Sequence, residues 1–140
     1  MQIQIKKLHP DAKLPSFAHD TDAGMDLCTI EDFIIAPGEL RQVRTGIAIV
    51  FPKGYAALTW DKGGVSHVRK IKTMGGVFDA DYRGDYTIGL INLGTENQEF
   101  KVGDKIAQLL IQKVEHPEIL IIEDLDETVR GEGRFGSTGK

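Results

Sequence analysis

The side chains that could do chemistry in this 140-residue chain are gathered in three glycine-flanked polar clusters. Ala23-Gly24-Met25-Asp26-Leu27 places a carboxylate directly after a glycine and ahead of an apolar strand. Gly76-Val77-Phe78-Asp79-Ala80-Asp81-Tyr82-Arg83-Gly84 reads as a hairpin: an apolar strand, an acidic turn, and Tyr86 to Ile91 returning. Gly103-Asp104-Lys105-Ile106-Ala107-Gln108 is a turn into a strand that carries one amide among apolar neighbours. Asp and Gly also occur at turns simply for their backbone preferences. Gln108 does not fit that account, because a buried amide needs partners. Covalent catalysis is the less economical chemistry here. No Gly-x-Ser-x-Gly elbow is present, and the single cysteine, Cys28, has no evident base.

Several other motifs fail on context. Gly131-x-Gly133-x-x-Gly136 spells a dinucleotide fingerprint but lacks the helix and second strand that must follow it. The same segment misses a phosphate-binding P-loop, since Ser137-Thr138 stands where Lys-Ser/Thr is required. Asp79-x-Asp81 opens like a calcium loop, yet its twelfth position is Leu90, which has no carboxylate. His9, His19, His67 and His116 are scattered, without metal-ligand spacing.

The elements that must position these clusters are strands. Gln2 to Lys6 alternates at period 2, and Val43–Phe51, Tyr55–Trp60, Tyr86–Ile91 and Ile106–Val114 are rich in branched and aromatic residues. Gly and Pro punctuate them at intervals of about ten residues, the pattern of an all-β sandwich, jelly roll or barrel. Helix signals are poor, and the best candidate, Val65 to Lys72, allows one short helix at most. The length predicts one domain, and 41% hydrophobic against 27% charged residues predicts an ordinary core. A single cysteine cannot bridge internally. No stretch approaches a membrane span or a signal peptide, so a soluble cytoplasmic protein is expected. With a net charge of −4 the chain lacks the basic footprint of a duplex nucleic-acid binder. Residues 130–140 are the exception to this acidity: Arg130, Arg134 and Lys140 stand against Glu132 alone. This Gly-rich end cannot bury enough to hold itself folded and is expected to be a flexible arm on a 1–129 body.

In order and spacing, five clusters resemble the five motifs of the trimeric dUTP diphosphatase (dUTPase) family. They are Ala23–Leu27, preceded by Leu14-Pro15-Ser16-Phe17-Ala18; Asp61-Lys62-Gly63-Gly64-Val65; Gly76–Gly84; Gly103–Leu109; and Arg130–Gly139. Ala36-Pro37-Gly38-Glu39, Thr45-Gly46-Ile47 and Pro52-Lys53-Gly54-Tyr55 also fit, so the resemblance covers about nine-tenths of the chain, with motifs three and five the most specific.

The resemblance implies a distorted jelly roll or β-prism. It also implies hydrolysis of dUTP to dUMP and pyrophosphate with Mg2+, which limits uracil in DNA and supplies dUMP for dTMP synthesis. By the same resemblance Asp79 activates the attacking water, and Asp26 accepts from waters on a metal chelated by the phosphates, without ligating it. Lys62, Gly63 and Gly64 are implied in phosphate binding, and Gln108 as a phosphate or hairpin contact at the site floor. The backbone from Thr73 through Gly76 and Val77 to Thr87 recognises uracil, beside Phe78, and Tyr82 packs on the deoxyribose. Arg130 meets the γ-phosphate, Phe135 stacks on the base, and Gly136, Ser137 and Thr138 wrap the phosphates as a lid. A homotrimer with sites shared between chains is implied as well, the third motif coming from a neighbour and the fifth from the remaining chain.

Three departures stand out. The family usually has Arg-Ser-Gly where this chain has Lys62-Gly63-Gly64, which removes a bidentate fork and a hydroxyl. Arg134 replaces a glycine, and Thr73 stands where Asn is common. Two rival readings share the fold or the ligand: a dCTP deaminase or bifunctional deaminase-diphosphatase, and a dUTP-sensing regulator with weak turnover.

Overall fold

The computed structural model describes residues 1–134. Among them run eleven strands: β1 (Gln4–Lys7), β2 (Met25–Cys28), β3 (Phe33–Ile35), β4 (Leu40–Arg44), β5 (Ile47–Val50), β6 (Tyr55–Trp60), β7 (Ile71–Met74), β8 (Val77–Phe78), β9 (Thr87–Asn92), β10 (Gln98–Phe100) and β11 (Lys105–Lys113). One π-helical turn, Gly64–Val68, interrupts them, in keeping with the short helix expected. They pair antiparallel as β2-β11-β6-β8, β4-β9-β7, β1-β5 and β10-β3. No helix among the described residues is long and apolar enough to cross a membrane.

The expected fold class holds, and the alternating runs bury as a half-buried strand should. On β9, Ile88, Leu90 and Asn92 point inward. The core includes Leu27, Ile35, Val43, Ile47, Ile49, Tyr86, Ile88, Leu90, Phe100, Ile106 and Leu109. Phe33 and Phe100 stack across the β3–β10 pair with ring centroids 4.8 Å apart. Asn92 is fully buried yet satisfied: Nδ2 donates to the Ile35 and Glu96 carbonyls at 3.0 and 2.8 Å, and Oδ1 accepts the Gly94 amide at 2.9 Å. A buried amide so bonded pins β9 to β3 without a desolvation deficit.

Two sequence expectations are corrected. The run Val43–Phe51 is not one strand: Arg44 ends β4, which pairs with β9, and Ile47 begins β5, which pairs with β1. Gly46 breaks it with φ +69°, where a Cβ would lie 2.9 Å from His9 Cβ and 3.1 Å from both Ala12 and Ile30. The third cluster is not a β8–β9 hairpin either. β8 pairs with β6 (Leu58↔Val77), while β9 pairs with β7 (Thr73↔Leu90). The arms of the hairpin are therefore β7 and β9, and the acidic turn belongs to the excursion between them.

Gly46→Ala combines left-handed backbone strain with a clash against three side chains. It is expected to cost about 2 kcal/mol or more, read as a lowered urea midpoint at fixed protein concentration.

Candidate active site

Three sequence-distant clusters meet at one carboxylate. Asp26 on β2 lies directly across from Gln108 on β11 and is only 4% exposed. Its Oδ1 is 2.6 Å from Lys62 Nζ and its Oδ2 is 2.6 Å from Lys105 Nζ. Burial alone would push this carboxyl up. The hydrogen bonds and charges of Lys105 and Lys62 outweigh it and hold the group below the ordinary carboxylate range.

Lys105 reaches Asp26 because of a bulge. On β11, Lys105 pairs with Cys28 and Ala107 with Leu27, so Ile106 is an extra residue in that ladder. In a regular strand Lys105 and Gln108, three apart, would face opposite sides of the sheet. The inserted residue brings both to the face of Asp26. Sequence reasoning did not single out Lys105. Its place within the fourth cluster is a signal, but a bulge leaves no mark in the alternation.

Lys62 comes from the turn after β6. Its carbonyl accepts the Val65 and Ser66 amides at 2.9 and 2.8 Å, so the internal bonds of the turn begin after Gly63 and Gly64. Gly63 has φ −47° and ψ −52°, and a Cβ there would meet nothing within 4 Å. Serine therefore fits at this position without strain. The preceding residue, Asp61, was also missed. Its Oδ1 accepts the Thr73 amide at 2.8 Å and the Thr73 hydroxyl at 2.6 Å, and its Oδ2 is 2.7 Å from Lys72 Nζ. Thr73 thus spends its amide and its hydroxyl within the chain.

The other named residues lie around the excursion from β7 to β9. Gly76, at φ +123°, approaches Thr59 so closely that a Cβ would sit 2.7 Å from its Oγ1, and its carbonyl accepts the Thr59 amide at 2.8 Å. A small cavity of about 260 Å³ opens between Thr59, Trp60, Thr73, Gly76 and Val77. Phe78 turns inward, stacked on Tyr86 at 4.1 Å, and the fully buried Tyr86 hydroxyl is pushed up to about 12 by its burial. Tyr82 donates its hydroxyl to the Asp85 carbonyl at 3.0 Å, and its ring lies 5.8 Å from that of Phe78. Thr87 opens β9 opposite Arg44.

Asp79 is exposed at the head of a turn, its carbonyl accepting the Tyr82 amide. It stands on the wall of a broad cleft of about 840 Å³ with Tyr55, Arg83 and His116, a lining that includes none of Asp26, Lys62 and Gln108. Val77 is 71% exposed and does not shield Asp79 from solvent within one chain. Arg130 is exposed and donates to the Gly133 carbonyl at 2.9 Å. Phe135, Gly136, Ser137 and Thr138 lie outside the described residues.

The dUTPase family model matches residues 10–139. The chain belongs to the dUTPase family. Relatives named deoxyuridine 5'-triphosphate nucleotidohydrolase include that of Thermobifida fusca, 43% identical over 99% of this chain and 79% of that protein. The Clostridium tetani protein of the same name is 43% identical over 99% of this chain and 97% of its own length. Among solved structures, the Staphylococcus bacteriophage 80alpha dUTPase with dUPNHPP superposes with a TM-score of 0.93, at 28% identity and 99% coverage of both chains. A phage phi11 dUTPase, whose structure is described as coordinating a structural Mg(II) ion, aligns at 0.85 with 25% identity, over 91% of this chain and all of that one.

The Asp26 ion pairs make a pH prediction. Because the folded carboxyl is held below the ordinary carboxylate range, its contribution to stability is complete above the range in which the unfolded carboxyl titrates. It is lost as pH falls through the lower folded value. Asp26→Asn leaves two ammonium groups without their anion and is expected to lower stability at pH 7 by about 1–3 kcal/mol. The difference from wild type should close below pH 4 in urea titrations across pH.

Proposed function

We propose that this chain hydrolyses dUTP to dUMP and pyrophosphate with Mg2+, by in-line attack of a water activated by Asp79 on the α-phosphorus. The observation that carries the reading is the convergence of Asp26, Lys62, Lys105 and Gln108 on one sheet face. Two ammonium groups on one carboxylate leave a positive excess where a triphosphate with close to four negative charges would lie. Neutralising that charge and aligning the water is most of what such a reaction demands.

The residues fit a metal that arrives on the phosphates. No cluster of His, Cys, Asp or Glu among the described residues could ligate one directly. Asp26 is a single carboxylate already hydrogen-bonded, suited to accept from the waters of a reluctantly dehydrating ion. When bound, Mg2+ would supply charge neutralisation on the phosphate oxygens. Lys62 then exchanges its carboxylate partner for a phosphate oxygen while Lys105 stays on Asp26. The amides of Gly63 and Gly64, ahead of the first internal bond of their turn, offer the main-chain anion contact that replaces a serine hydroxyl. Gly76 and Val77 supply backbone groups that pair with uracil and leave no room for a 5-methyl. Tyr82 packs on the deoxyribose, and Arg130 with the terminal residues closes over the phosphates.

A homotrimer with shared sites is part of the same reading. Beyond β11, Ile119, Leu120, Ile121, Ile122 and Leu125 are largely exposed, Ile121 at 99%. An apolar run this long calls for a covering surface, and a second copy supplies one. That the cleft lined by Asp79 includes none of Asp26, Lys62 and Gln108 calls for the same partner.

Pyrophosphate release with Mg2+ from dUTP, UTP, dTTP and dCTP tests the reading. Turnover of dUTP alone is expected, without ammonia from dCTP, and a loss of at least about a hundredfold in Asp79→Asn with nucleotide still bound. Ammonia release would favour the deaminase. Tight dUTP binding with little turnover would favour the sensor.

Gly63→Ser isolates the phosphate contact, since the site has room for the side chain. Its kcat is expected to change by less than about tenfold. A larger gain would show that main-chain amides do not replace the hydroxyl.

A further inference from the structure

The only tryptophan in the sequence, Trp60, has no role in the reading above. Its environment differs from that of the aromatic core. Phe33, Phe51, Tyr86 and Phe100 are buried, whereas Trp60 is 56% exposed. Its ladder partner lies on the β11 side: β8 pairs with Ala57 and Leu58 of β6 and does not extend to Trp60. Gln108 pairs with Trp60 on one side and with Asp26 on the other. Residues directly opposite in a ladder project to the same face, about 5 Å apart. Asp26, Gln108 and Trp60 therefore form one cross-strand row, with Lys62 and Lys105 closing on its Asp26 end. At the other end Trp60 also walls the 260 Å³ cavity shared with Thr73, Gly76 and Val77. The indole thus stands between the anion-binding end of the face and the groove beside the hairpin.

We propose that Trp60 is a nucleotide-contacting residue: its indole packs against the nucleoside part of a pyrimidine nucleotide whose phosphates lie over Gln108 and Lys62. A broad, rigid aromatic face is suited to a sugar or base, and its bulk excludes water from the adjoining phosphate. The identity of the ligand rests on the function proposed above; the placement of Trp60 rests on strand register and exposure alone.

Because the chain has one tryptophan, its emission reports this position alone. The full-length protein is titrated with the α,β-imido analogue of dUTP plus Mg2+, with dUMP, and with inorganic pyrophosphate, and calorimetry measures binding independently. Both nucleotides are expected to change the emission saturably, at midpoints matching the calorimetric Kd, while pyrophosphate leaves it unchanged. Trp60→Ala should weaken dUMP binding roughly tenfold, and Trp60→Phe by less than about threefold. If nucleotide binds by calorimetry without altering the emission, and Trp60→Ala binds it equally well, the inference falls while the proposed activity stands. Emission that follows protein dilution instead of nucleotide would place Trp60 against another copy and overturn the inference too. If neither nucleotide binds, the functional reading itself fails. Should Trp60→Ala not fold, the wild-type titration and Trp60→Phe still decide.

Discussion

A carboxylate removed from water must be paired, and Asp26 is paired twice. Burying it uncompensated would cost several kcal/mol, so the fold has to deliver ammonium groups to both oxygens. They come from different places: Lys62 from the turn after β6, Lys105 from a bulge in β11. Each pairing fixes a sequence-distant segment against β2. The balance also suits the polyanion proposed above as the ligand. Two positive charges on one negative leave an excess of one, and a lysine can change partners without abandoning Asp26 to an empty interior, because the other lysine remains.

Adjacent residues extend this constraint to the rest of the molecule. Asp61 and Lys62 reach in different directions, Lys62 to Asp26 and Asp61 to the amide and hydroxyl of Thr73 on β7. The short turn between β6 and β7 therefore ties the sheet β2-β11-β6-β8 to the arm of the β7–β9 hairpin. The close approach of Gly76 to Thr59 fastens the same two regions a second time. Asp61 carries this mechanical role through Thr73, whatever stands at positions 62 and 63.

Much of this was legible in the residues. The runs rich in branched and aromatic residues at β6, β9 and β11 are strands where the composition put them, because strand preference is read from local residues. Gln108 was singled out as an amide in an apolar run, and it lies opposite Asp26. What stayed illegible depends on partners. Val43–Phe51 reads as one strand until Gly46 hands its halves to β9 and β1, and β8 looks bound to β9 until β6 takes it. The bulge that turns Lys105 toward Asp26 is a matter of register, which no single strand records. Asp61 and Trp60 looked like turn and strand residues, and only their neighbours across the sheet give them more to do.

Asp79 raises the last question of construction. A carboxylate in open water is surrounded by many solvent molecules and cannot single out one for attack; selection needs walls that fix a water and a phosphate relative to it. One chain leaves Asp79 exposed on a broad cleft whose lining includes none of Asp26, Lys62 and Gln108. The same chain leaves Ile119 to Leu125 without cover. Apolar burial and catalytic enclosure are separate demands, one energetic and one geometric, and nothing requires a single object to meet both. The homotrimer proposed above would meet both, with a neighbour's Asp26 face enclosing Asp79 and a copy's surface receiving the apolar run. Assembly would then be the step that completes each shared site.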